Sequence, residues 1–173
     1  MQVWTNTCCS HQLHGHDPNE VDDTQQVTHG HVPGACRAAV RKLGHELGIP
    51  PSQLDSTRFR FLTRLIYCAA DRDPASGQAT GWGEHELDYI LFARHDVTLE
   101  PNSDEVDSTR WVTAQELRDM MRPGSGLQWS PWFRVIAEHF LFEWWDDLDA
   151  VLQDGAHADF ATIHKLSCQE AKQ

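Results

Sequence analysis

The chain is poor in positive charge. Lys and Arg number 14 against 26 Asp and Glu, a formal net charge of -12. That balance excludes broad contact with nucleic-acid phosphates or anionic lipid and leaves room only for a local basic pocket. Long apolar runs are missing as well: no stretch approaches the roughly 20 residues that span a bilayer, so no membrane insertion is expected. The opening MQVWTNTCC has neither the basic nor the apolar region of a secretory leader. The chain therefore reads as soluble and intracellular, with cytoplasm, plastid and other organelles not distinguished. Cysteine is scarce, with five residues at positions 8, 9, 36, 68 and 168. They lack the C-x-x-C pairs of a structural zinc site and the dense even pattern of a disulfide scaffold, so reduced thiols are expected. Cys36, Cys68 and Cys168 read as small apolar fillers. The adjacent Cys8 and Cys9, just ahead of His11, fit that reading less well.

What is present is enough for one core. With 173 residues, 40% of them hydrophobic, a single domain is expected. Gln12 to Pro33 is polar, rich in Asp, Gly, Pro and His, and without periodicity, which reads as a long surface loop, functional or mobile. Ala35, Ala38, Ala39, Leu43 and Leu47 recur at helical spacing, and Gly48 and Pro50 stand where a helix stops. FRFLTRLIYCAA, from Phe59, and EHELDYILFARHDV, from Glu84, read as strands, the second as a central one; the segment between them reads as loop. Arg110 to Val112 reads as a short third strand. TAQE, from Thr113, fits a capping box that starts a helix through Met121. Ser130 and Pro131 suit the N-cap and first turn of a longer helix, with Phe133, Ile136, Ala137, Phe140, Leu141 and Trp144 on one face. Beyond Leu148 a weakly packed tail is expected, with a short helix near Phe160 to Leu166.

Two stretches carry chemistry. In a strand, Glu84 and Glu86 of GEHE share a face while His85 points the other way. Two like charges on a partly buried face call for a cation or a shared proton. RKLGHELGI, Arg41 to Ile49, resembles the back half of the Nudix signature, in which helical glutamates hold magnesium against a diphosphate. Here Lys42 and His45 stand where that pattern has glutamates, Val27 and Pro33 where it has Gly and Glu, and Glu46 alone remains.

WTNTCCSH, RAAVRKLGHELGIP, FLTRLIYCAA, WGEHELDYILFARHDVTLEPNSDEV and SPWFRVIAEHFLFEWWDDL together resemble the type I isopentenyl-diphosphate isomerases of eukaryotes, from Val3 to about Leu152. The loops at Gly15 to Pro33 and Arg72 to Thr80 differ from compact members of that family. The resemblance implies an α/β fold of Nudix type, with a mixed sheet sandwiched between helices. It also implies an isoprenoid diphosphate substrate, and interconversion of isopentenyl and dimethylallyl diphosphate through a carbocation-like intermediate. Cys9 matches the catalytic thiol, and Glu86 the second catalytic group across the substrate. Tyr67 matches a tyrosine hydrogen-bonded to that glutamate. His11, Glu84 and Glu86 match ligands of one divalent metal, whether Zn2+, Mg2+ or Mn2+. Glu46 matches the ligand of a second ion, the Mg2+ that travels with the diphosphate. Lys42 stands where an arginine meets the diphosphate, and Trp132 matches the aromatic face against the hydrocarbon.

In that family a longer segment precedes the WTNT block and supplies two further metal histidines, basic residues and early strands. The chain is accordingly expected to be an isomerase domain over residues 1–152, short at its N-terminal side, with a tail over 153–173. The loop histidines His14, His16, His29 and His31 read as solvated rather than as substitutes for the missing ligands. A Nudix-type diphosphate hydrolase and a non-catalytic remnant are the competing readings, and nothing in the sequence fixes the oligomeric state.

Overall fold

A computed structural model describes residues 3–72 and 76–167 of the chain. Cys168 and residues 73–75, in the middle of the loop expected from Asp71 to Gly83, lie outside the described residues; the two ends of that segment, 71–72 and 79–83, are strand rather than loop, because the hairpin pairing continues past the expected turn. Two long antiparallel strands, β1 (Arg60–Arg72) and β2 (Ala79–Phe92), form a hairpin, and β3 (Ile163–Ser167) pairs parallel to β1 on its far side, giving the order β2-β1-β3. The sheet is thus mixed, as expected. Among the described residues β2 lies at an edge, however, rather than at the centre.

Helices cover both faces. Phe61, Tyr89 and Leu91 point toward α1 (Thr24–Val27) and α2 (Pro33–Leu47), packing with Val27, Val32, Ala35 and Cys36. Leu65, Tyr67, Ala69 and Ile90 meet α3 (Ala114–Met120) and a helical run made of α4 (Pro131–Ile136), one π turn (Ala137–Leu141) and α5 (Phe142–Asp146). Phe133, Ile136, Ala137, Leu141 and Trp144 are buried there, as the spacing predicts. Thr113 and Glu116 form the capping box. The Ser130 hydroxyl does not cap its helix; it lies 2.8 Å from the Thr5 hydroxyl.

Four expectations are corrected. Arg110 to Val112 forms no strand: no described strand pairs with it, and Arg110 and Trp111 are exposed, so water can satisfy its backbone without a ladder. The segment after Leu148 is packed: α6 (Leu148–Asp154) buries Val151 completely, and Ile163–Ser167 is a strand where a short helix was expected. Cys36 is buried, but Cys68 is exposed on the sheet face that carries His85, so it fills no core. The segment from Gln12 to Pro33 is not one long surface loop: it contains α1 and buries Glu20, Val27 and Val32. Within it, Glu20 is 1% exposed and takes the Arg41 Nε at 2.7 Å and the Leu13 N–H at 2.9 Å. Asp22 accepts from the Gly34 and Ala35 N–H groups at 2.6 and 2.8 Å, capping α2 from outside the helix. The other end of α2 stops at Gly48, whose φ of 62° and 2.2 Å distance from a built Cβ to the Glu100 carbonyl admit only glycine.

Candidate active site

The sheet register assembles the acidic side of the site. Tyr67 on β1 is the pair partner of Glu86 on β2, and Ala69 of Glu84. All point to the face that α4 covers. The buried Tyr67 hydroxyl donates to Glu84 at 2.9 Å and reaches Glu86 at 3.4 Å. Burial, and then its carboxylate neighbours Glu84, Glu86 and Asp88, pushes the Tyr67 phenol far above its ordinary range, so it stays a donor.

Asp88 follows Glu84 and Glu86 in the same alternation and was not singled out from the sequence. The signal was present: period two places residue 88 on the face of 84 and 86. Burial, followed by the fields of Glu86 and Glu84, raises its carboxyl to about 6, with His11 opposing.

The N-terminal segment brings the thiol to this row. Backbone bonds from Trp4 N–H to the Gln128 carbonyl and from Ser130 N–H to the Trp4 carbonyl, both 2.8 Å, bind it to the start of α4. Asn6 then bridges two elements: its Oδ1 accepts from the Trp132 indole at 2.9 Å, and its amide donates to the Cys8 carbonyl. A neutral amide in a polar stretch carries no sequence signal for that role. The next two side chains diverge. Cys8 packs on the Leu43, Leu47 and Ile49 cluster, where burial pushes its thiol up to about 12. Cys9 reaches solvent at its edge, yet the protein around it raises its thiol to about 11, with Asp88, Glu86, Glu46 and Glu84 adding in that order. The two cysteines therefore do different things: one holds the segment down and one faces the acids.

The remaining predicted residues sit around this centre. His11 is exposed, with Nε2 3.4 Å from Glu86 Oε1. The Trp132 ring lies 6.4 Å from that of Tyr67. On α2, Lys42 Nζ is 3.1 Å from Glu46 Oε1, and that hydrogen bond holds the ammonium above its ordinary range. These contacts group Tyr67 with Glu84, Glu86 and Trp132, and His11 with Glu86; Lys42 and Glu46 form a separate pair on α2, whose Leu43 and Leu47 meet Cys8.

The two expected metal positions differ. Among the described residues no three His, Cys, Asp or Glu side chains converge to hold an ion, so His11, Glu84 and Glu86 do not close a metal cradle. The loop histidines do not complete it; His29 Nδ1, for instance, lies 2.7 Å from the Gln25 carbonyl instead. At Glu46 the fit is better. An ammonium already stands between two carboxylates, Glu46 and Glu105, and Mg2+ bound with a diphosphate needs only one or two protein oxygens.

The NUDIX domain profile matches residues 34–133, from α2 to the first turn of α4. The chain belongs to the NUDIX family. Within this NUDIX protein the matched span carries Lys42, Glu46, Tyr67, Glu84, Glu86 and Trp132, while Cys9 and His11 precede it. The chain is 43% identical over 170 residues to the chloroplastic isopentenyl-diphosphate delta-isomerase 1 of Cannabis sativa, covering 95% of this chain and 53% of that protein. It is 45% identical over 150 residues to an isopentenyl-diphosphate delta-isomerase of Gibberella zeae, covering 87% of this chain and 54% of the other. The Schizosaccharomyces pombe enzyme of the same name is 44% identical over 150 residues, covering 85% and 58%. The chain spans about half the length of these curated relatives. No described helix is long and apolar enough to cross a membrane.

Proposed function

We propose that this chain carries the active site of an isopentenyl-diphosphate delta-isomerase, interconverting isopentenyl and dimethylallyl diphosphate. One observation supports it above the others: Glu84 and Glu86 meet the Tyr67 hydroxyl on the sheet face covered by α4, and Trp132 of α4 is hydrogen-bonded to Asn6 in the segment that carries Cys9. On this reading a thiol and a carboxyl would work beside the helix that receives the diphosphate.

The reaction adds one proton to the terminal methylene and removes another from the carbon two bonds away, so the formula is unchanged and the double bond moves. Between the two transfers the substrate has the character of a tertiary carbocation. With its pKa near 11, Cys9 holds its proton at neutral pH and is available as an acid. Glu86 is the opposing acid/base group, 3.4 Å from the Tyr67 hydroxyl. The Trp132 face would stabilise the cation by roughly 2 kcal/mol once water is excluded. Lys42 and Glu46 would receive the diphosphate and its Mg2+.

Hydrolysis is less well served. Lys42 and His45 occupy α2 where further acids would be needed to activate water, and Lys42 is paired to the one that remains. The test is proton NMR of isopentenyl diphosphate in deuterated buffer containing Mg2+. The expected product is dimethylallyl diphosphate with deuterium in a methyl group. Phosphate release without isomerisation would instead identify a hydrolase, and neither product would indicate a non-catalytic chain.

A further inference from the structure

We infer that Glu105 is a positioning residue for the diphosphate end of the site, holding Lys42 so that Glu46 is free to receive the magnesium that accompanies the substrate. The inference rests on the isomerase reading above.

Glu105 lies far from α2 in sequence but is fixed against it. Its turn is closed by Glu105 N–H and Val106 N–H bonds to the Asn102 carbonyl at 3.0 and 2.8 Å. The turn is pinned to the end of the helix by Asn102 N–H to the Glu46 carbonyl and Glu100 N–H to the Leu47 carbonyl, each 2.9 Å. Val106 packs on the Leu43, Leu47 and Ile49 cluster. The Glu105 carboxylate is thereby tied to the helical turn that carries Glu46. From there Oε2 lies 3.5 Å from Lys42 Nζ, and Oε1 lies 3.9 Å from His45 Nδ1.

Lys42 thus has two partners, with only 21% of its own side chain exposed. If Glu46 were its sole partner, this i,i+4 pair would be mutually neutralised, and a cation approaching Glu46 would have to break it. With Glu105 present, Lys42 keeps a counter-charge when Glu46 turns to the cation. For a metal-free anion Glu105 has the opposite effect, because it is an extra negative charge beside the only ammonium in this cluster.

The two effects have opposite signs, and that separates positioning from structural support. Calorimetric titration of the full chain with inorganic diphosphate, with Mg2+ and with EDTA, reads both. Glu105→Gln is expected to weaken binding in Mg2+ about five-fold and to strengthen it in EDTA about two-fold. Glu105→Asp should keep the wild-type order. Equal affinities of wild type and Glu105→Gln in both buffers would overturn the inference, as would a parallel loss in both. A wild-type chain that binds no diphosphate in either buffer removes the isomerase reading and this inference together.

Discussion

A single phenol on β1 serves two carboxylates on β2: the Tyr67 hydroxyl lies 2.9 Å from Glu84 and 3.4 Å from Glu86. Tyr67→Phe removes the hydroxyl that links those acids while keeping the ring that packs near Trp132. The expected cost is about 1 to 2 kcal/mol of stability, measured by urea denaturation. Isomerase turnover should fall about ten-fold, because Glu86 loses its fixed orientation.

Asp88 gives a pH signature. Its carboxyl rises from an ordinary value of 3.8 to about 6 in the fold, so the native state holds that proton more tightly than the unfolded state. Stability from this group is present below about pH 4 and is lost as pH rises through about 6. Asp88→Asn should therefore be more stable than wild type at pH 7, by about 1 kcal/mol after solvent screening, and equal to it near pH 4. Thermal melts at several pH values measure the difference; a gap that widens toward low pH would contradict this assignment.

The thiols should be sluggish toward alkylation. With Cys9 near 11 and Cys8 near 12, iodoacetamide at pH 8 should modify both more slowly than free cysteine, the rate climbing until about pH 11. Mass spectrometry of the modified peptide reads each site separately. Cys9→Ser should reduce isomerisation by about 100-fold with an unchanged melt.

Glu20 and Arg41 form a buried ion pair that fixes the segment after His11. Arg41 also donates to the His11 carbonyl at 3.0 Å. Its hydrogen bond holds the Glu20 carboxyl below the usual range, so this support is present above the ordinary carboxylate pKa and fades as the pH falls below it. Arg41→Met leaves a carboxylate buried without its partner and should cost about 3 kcal/mol in a denaturant melt at pH 7.

What could be read from the sequence was local. Helical spacing located α2 and the Phe133 to Trp144 face, the capping box located α3, and strand alternation put Glu84 and Glu86 together. What could not be read depends on distant partners. Glu20 looks like any solvated acid until Arg41 meets it, 21 residues on. Asn6 has no marking that ties it to Trp132, 126 residues away. The strand Ile163–Ser167 is defined by parallel pairing to β1, and its own residues alternate weakly. Asp88 is a different case: strand alternation puts it on the face of Glu84 and Glu86, but it stands inside the apolar run LDYILF, which marks a core strand.

The attachment of Trp4 and Asn6 to the start of α4 means that the Cys9 segment and the Trp132 indole share one mechanical support. A ligand that shifts that helix must carry the thiol with it, so the clearance between them is set by the fold and does not depend on a separately moving loop.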